Sequence, residues 1–278
     1  MEGVYTPKEV FTQVTDETEE SQLAVAIASL HVVSFPHELS RWLQKTVSFD
    51  NITILAYFQN QAPSLLLYEG KNSKILDGIA KDYLAGAYLL DPFHDLHINT
   101  VPAGVYLLSD VSPDKFRSNP YYLEYYKKTK MMDELAFVTY PASGVSLHVC
   151  LGRDDNSNQV FTPRDLENAH RIAPLVSALS INHWNGLRSE GAYAEEETTS
   201  KLIREMEHRH GISLSPRQAE VAMLVLRGHS SVSIGLRLGV SFQTIKVFRK
   251  QLYKKCHISS QAQLFKLMIP VLEMVSAS

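Results

Sequence analysis

The chain has 278 residues, 45% hydrophobic and 21% charged, with a net charge of −3. That length holds one large domain or two ordinary ones, and the composition is globular rather than fibrous or disordered. No apolar run approaches the roughly 18 residues that a membrane-spanning helix needs, and the acidic opening MEGVYTPKEVFTQVTDETEE lacks the apolar segment of a secretory signal. The expectation is a cytoplasmic protein without a membrane partner. Its two cysteines, Cys150 and Cys256, have neither disulfide nor metal-ligand spacing. Charge is segregated: twelve Lys and Arg face four Glu after residue 200, a net of +8, while the first 200 residues carry −11. A small basic region behind a larger acidic one points to a polyanionic partner for the former.

In chain order, residues 21–33 and 37–47 have helical patterning. NITILAYFQ (51–59) and PSLLLYE (63–69) read as a hairpin. Residues 74–90 and 119–130 read as helices, and 135–141 and 143–153 as a second strand pair about an Ala142–Gly144 turn. Residues 161–184 form a helix that opens on Thr162 and Pro163, with Leu166, Ala169, Ile172, Leu175, Val176 and Leu179 as its buried stripe. Helices flanking a mostly antiparallel sheet make an α+β sandwich, an architecture suited to sensing small molecules. The polar, acidic stretch from 186 reads as a connector that turns helical near Leu202 and Met206.

The last seventy residues carry the clearest signals. Ser215, Pro216 and Gln218 form a helix start with a capping box, and Gly228 ends that helix. A short second helix holds Ile234 and Leu238 and stops at Gly239. A third opens at Ser241 with Val240 and Ile245 as a hydrophobic staple. Helix, tight turn and helix at this spacing make a helix-turn-helix unit. On the third helix Ile245, Phe248, Leu252 and Cys256 share one stripe, and Gln243, Lys246, Val247, Lys250 and Lys254 lie opposite. Amide and cationic side chains suit phosphates and base edges, and a valine among them suits a thymine methyl.

These residues resemble the C-terminal domain of LuxR/FixJ-type regulators. The motif runs L-S-P-R-x-x-E-V over 214–221, Gly228, I-x-x-x-L-G-V-S over 234–241, T-I-K over 244–246 and I-S-S over 258–260. The resemblance implies an all-α four-helix domain in which Lys246, Val247 and Lys250 read bases, beside Gln243, Thr244 and Lys254. It further implies Arg217, Ser231 and Arg249 as phosphate contacts and residues 259–268 as the dimer contact. Gln218, Gly235 and Phe248 depart from the usual Glu, Ala and His. A glycine inside the second helix costs up to about 1 kcal/mol relative to alanine, so that helix is expected to be soft.

The upstream region resembles GAF/PAS-type sensors and, more weakly, the autoinducer-binding domain of quorum-sensing LuxR proteins, through Tyr83, Tyr88, Asp91-Pro92 and the strand GVSLHV. By that resemblance Asp91 takes a ligand N–H, and Tyr57, Tyr83, Tyr88 and Ser146 line the pocket. Asp91, Asp133 and Glu134 would supply the counter-charge for an amine. Tyr121/Tyr125 and Tyr122/Tyr126 stand at i,i+4 and also suit an aromatic cage. The only tryptophans, Trp42 and Trp184, lie away from the positions that pack an acyl-homoserine lactone. A small polar or amine-bearing effector is therefore expected, with a lactone signal as the alternative. His94 and His97 have the spacing of an incidental pair, and no catalytic motif or cofactor signature stands out. The expected whole is a sensor domain over 1–185, an α-β-α sandwich around an antiparallel sheet; a connector over 186–211; and a DNA-binding domain over 212–278. It would be a homodimeric, ligand-responsive regulator on double-stranded DNA, with no enzymatic activity.

Overall fold

The computed structural model describes residues 18–59, 61–189 and 195–277. Helix α1 (Glu19–Ala28) opens where the Thr18 hydroxyl accepts the Ser21 N–H at 3.2 Å. It stops short of the expected residue 33 because the Ser29 hydroxyl bonds the Ala26 carbonyl and His31 turns left-handed at φ 64°. Helix α2 (Phe35–Thr46) buries Phe35, Leu39, Trp42 and Leu43. Strands β1 (Asn51–Phe58) and β2 (Ser64–Gly70) form the expected hairpin. With β3 (Gly104–Leu107), β4 (Asp133–Ala142) and β5 (Val145–Arg153) they build an antiparallel sheet in the order β2-β1-β5-β4-β3. β3 was not among the expected strands; four residues give too little alternation to recognise.

Period-two alternation divides the sheet between two cores. Ile52, Ile54 and Ala56 of β1, Leu135 and Phe137 of β4 and Leu147, Val149 and Leu151 of β5 face α1, α2 and helix α6 (Pro163–His183). Helix α6 starts in the expected way: the Thr162 hydroxyl accepts the Asp165 N–H, and the Asp165 carboxylate accepts the Thr162 N–H. Its stripe holds Ala169, Ile172, Val176 and Leu179, but Leu175 is 46% exposed, a full 100° step from Val176 around the helix. Leu55 and Tyr57 of β1, Ala136 and Val138 of β4 and Cys150 of β5 face the opposite core.

On that second face the sequence reading needs correcting. Residues 74–90 are not one helix. They form α3 (Ser73–Gly78), a π-helical turn at Ile79–Tyr83 and a 3-10 turn at Ala87–Leu90. Gly86 lies so close to the C-terminal helix that a Cβ would sit 2.8 Å from the Glu273 backbone. Helix α4 (Pro92–Ile98) follows, capped by Asp91, then β3 and the one-turn helix α5 (Leu108–Val111). Residues 119–130 also shorten, to a π-helical turn at Tyr122–Tyr126. Such widened turns re-aim side chains and recur at functional positions.

The helical end comprises α7 (Glu195–His210), α8 (Pro216–Arg227), α9 (Ser231–Leu238), α10 (Phe242–Lys255) and α11 (Gln261–Ala277). Leu202 and Met206 of α7 are fully buried in the same core as α8 and α11. Ser215 and Gln218 form the reciprocal capping box, and Gly228 and Gly239 end α8 and α9 in the left-handed conformation. Gly235 is needed where it stands: a Cβ there would meet the Val240 carbonyl oxygen at 2.8 Å. Gly235→Ala is thus expected to lower stability by about 1–3 kcal/mol through overcrowding, despite alanine's better helix propensity, and a urea midpoint checks the sign.

Candidate functional site

The two ends of the molecule present two different surfaces. On α10, Ile245 and Leu252 are buried while Gln243, Lys246, Val247, Lys250 and Lys254 are exposed together. Val247 is 54% exposed on this cationic face. Ser241 caps the helix by accepting the Thr244 N–H at 3.0 Å, which fixes how α10 leaves the turn. Lys246 rests over the Phe242 ring at 4.3 Å, and Arg249 donates to the Ser231 hydroxyl at 3.2 Å. The latter bond brings two expected phosphate contacts together across α9 and α10. Arg217 stands apart on α8, paired with Glu220 at 2.8 Å.

Within the second core of the sheet is a cavity of about 80 Å³ lined by Tyr57, Tyr83, Asp91, Tyr121, Tyr126 and Glu134 among others. Four of these were anticipated as ligand residues: Tyr57, Tyr83, Asp91 and Glu134. Asp91 accepts the Phe93 N–H at 2.8 Å, and the nearby Tyr83 and Tyr121 hydroxyls favour its charged form. The Tyr57 and Tyr83 hydroxyls share a hydrogen bond, and the Tyr126 hydroxyl near Glu134 favours the charged form of that carboxyl. Burial pushes the Asp91 carboxyl up to about 6, and burial with the nearby Asp91 charge pushes Glu134 up to about 8. Desolvation and the same two carboxylates hold the Tyr57, Tyr121 and Tyr126 hydroxyls well above their ordinary range, so they remain donors.

Three other anticipated pocket residues lie elsewhere. Asp133 precedes Glu134 in β4 and so points to the other face, where it accepts the Phe161 N–H at 3.1 Å. Ser146 shares hydrogen bonds with His97 at 2.8 Å and His148 at 3.1 Å, beyond the cavity lining. Tyr88 turns toward α11, where its hydroxyl accepts from Ser276 at 3.2 Å. Tyr121 and Tyr125 come within 4.9 Å, and Tyr122 and Tyr126 stack at 5.7 Å, as their spacing predicts. Tyr121, Tyr125 and Tyr126 line the cavity. Thr53, Met131 and Cys150 also line it, without a distinguishing sequence signal.

The helical end is docked onto the sandwich beside this cavity. Arg227, 5% exposed at the end of α8, donates through Nε to the Leu89 carbonyl at 3.1 Å and pairs with Asp95 at 3.1 Å. Asn119 donates to the Leu226 carbonyl at 2.5 Å, the Lys115 N–H to the Gly228 carbonyl at 3.0 Å, and the Ser230 N–H to Asp114 at 2.9 Å. One apolar cluster runs from Tyr57 and Tyr83 through Leu89 and Phe93 to Leu224, Leu272 and Val275. None of these cross-contacts was anticipated.

A helix-turn-helix with an exposed cationic helix, joined to an α-β-α sandwich, defines a DNA-binding regulator with an appended sensor-type fold. The comparisons give the family. The model of bacterial regulatory proteins of the luxR family matches residues 212–268. A protein of Aeromonas salmonicida described as an HTH-type transcriptional regulator in the exeN 3′ region is 30% identical over 185 residues, 64% of this chain and 93% of that one. Among solved structures, the VqsR LBD domain from Pseudomonas aeruginosa has the sandwich fold at TM-score 0.52 and 21% identity, covering 61% of this chain and 98% of that chain. Escherichia coli SdiA aligns at TM-score 0.39 and 14% identity, over 90% and 96% of the two chains. The chain belongs to the luxR family of bacterial regulatory proteins and is a DNA-binding transcriptional regulator. Among the described residues, no helix is long and apolar enough to cross a membrane.

Proposed function

We propose that this regulator works in the cytoplasm, by binding rather than by catalysis, and that a small molecule in the tyrosine-lined cavity controls its dimeric attachment to DNA. One observation carries the reading. Asp91 lines the cavity and caps α4, while Asp95, one turn later on the same helix, holds Arg227 of α8. A ligand that moves Asp91 therefore acts directly on the helix that anchors the DNA-binding end. The region assigned to dimer contact by family resemblance, 259–268, contributes Leu264, Phe265 and Met268 to the core shared with the sensor face. Docked and released arrangements thus differ in whether that surface is available, and an effector shifts the population between them. The small cavity favours a compact effector over a long-chain lactone.

Selection of random duplexes by the full chain tests this reading. The expected product is a pseudo-palindrome with half-sites about one helical turn apart, bound by two protomers in a native mass spectrum. Recovery of no preferred sequence would overturn it. On the selected site, Lys250→Ala or Val247→Ala is expected to relax base preference at one position by about 1–3 kcal/mol. Arg249→Ala should instead weaken all sequences alike and flatten the salt dependence, which gel shifts at several ionic strengths distinguish.

A further inference from the structure

We infer that the effector is a small organic cation, an amine held as its ammonium between the carboxylates of Asp91 and Glu134 inside a cage of tyrosine rings. This deepens the reading of the cavity as the effector site and rests on it. The argument begins with charge. Among the described residues, the lining contains two carboxylates and no Lys, Arg or His. Two half-buried carboxylates elsewhere do have such partners, Asp95 with Arg227 at 3.1 Å and Asp165 with Arg153 at 3.5 Å, while the fully buried Asp154 is held instead by the Asn51 and Asn156 amides. A buried acid without a counter-ion is costly, and burial shifts it toward its protonated form.

The remaining wall fits a cation as well. Tyr57, Tyr83, Tyr121, Tyr125 and Tyr126 present aromatic surface around the space, and ring faces attract ammonium groups most strongly where water is excluded. The Tyr83 and Tyr121 hydroxyls lie near Asp91 and that of Tyr126 near Glu134, where they favour the charged carboxylates. Each carboxylate therefore has neutral groups around it, leaving the charge itself to be balanced from outside. A neutral ligand would bury two acids without compensating either. An anionic one would add to the repulsion.

Binding should release protons, because Glu134 and Asp91 enter the cavity's resting state partly protonated at neutral pH. The groups facing them are the tyrosines named above and Cys150, with Asp95 within charge reach on α4; Asp133, the residue before Glu134 in β4, acts on it from the other face of the sheet. None of the tyrosines or the cysteine ionises in the neutral range, and Asp95 is committed to Arg227.

The test uses the full chain and matched probes: n-butylamine and putrescine against the neutral 1-butanol and 1,4-butanediol, titrated calorimetrically at pH 6 and pH 8. The expected result is that at least one amine binds at least tenfold more tightly than its neutral counterpart. Its affinity should rise from pH 6 to pH 8, and Glu134→Gln should lose at least tenfold in that affinity while keeping its folded circular dichroism spectrum. Asp91→Asn serves as the second variant if Glu134→Gln fails to fold. Equal or better binding of the diols and alcohols, or no binding by either class, overturns the cation assignment. Neither result touches the effector reading, which fails separately if DNA attachment is insensitive to Arg227 and to Gly86.

Discussion

Arg227→Ala is expected to undock the DNA-binding end from the sensor and to make operator attachment independent of effector. Arg227 is buried, donates to the Leu89 carbonyl and pairs with Asp95 at 3.1 Å. Removing one member of a buried pair leaves the other charge stranded, at a cost of about 3–5 kcal/mol. That exceeds the contribution of any single neutral hydrogen bond across the interface, at about 0.5–1.5 kcal/mol each. Amide hydrogen exchange along α11 should accelerate in the variant, and gel shifts should show tight operator binding by the ligand-free protein. Because Arg227 also ends α8, a second variant separates undocking from unfolding. Gly86→Ala alters only the sensor side, placing a methyl 2.8 Å from the backbone of Glu273 and Leu272. Both variants should give the same phenotype. Effector dependence retained by both would remove α4 and the Arg227 clasp from the mechanism.

The second large effect is a reversal of the usual pH dependence at the cavity. A carboxyl held at about 8 keeps its proton in the folded protein while the unfolded chain, near the ordinary value of 4.5, has released it. Between those values the folded state binds more protons, so stability falls as pH rises through the window. Asp91 adds the same sign over a narrower range, up to about 6. The buried histidines oppose it: burial lowers His97 to about 4 and His148 to about 3, and His94 well below its ordinary value. Their contribution is lost as pH falls below 6.5. Comparing Glu134→Gln with the parent cancels the histidines. The variant should gain little at pH 5 and on the order of a few kcal/mol by pH 9, read as the difference in urea midpoints. A constant difference across that range would mean that Glu134 is already ionised and balanced in the resting protein.

What the sequence disclosed follows from the range of the interactions involved. Caps were legible because their partners are neighbours: Ser215 and Gln218, Thr162 and Asp165. The outward face of α10 was legible because Ile245 and Leu252 define the buried side by spacing alone. Distinguishing Glu134 from Asp133 required the strand's register, since a single residue decides which face a side chain takes. The break after Gly78 was hidden because its constraint is tertiary, the approach of Gly86 to α11. Arg227 was hidden for a similar reason. In sequence it is a cation at a helix end, a common and weakly informative placement, and its partner Asp95 lies far away in the chain, on α4.

The outward set of α10 has a kinetic consequence. Lys246, Lys250 and Lys254 remain uncovered while α8 and α11 are held against the sensor. Attraction to phosphates, which governs encounter and sliding, is therefore available to the docked protein too. On the proposed function, the signal would leave the search for a site largely unchanged and act on residence time.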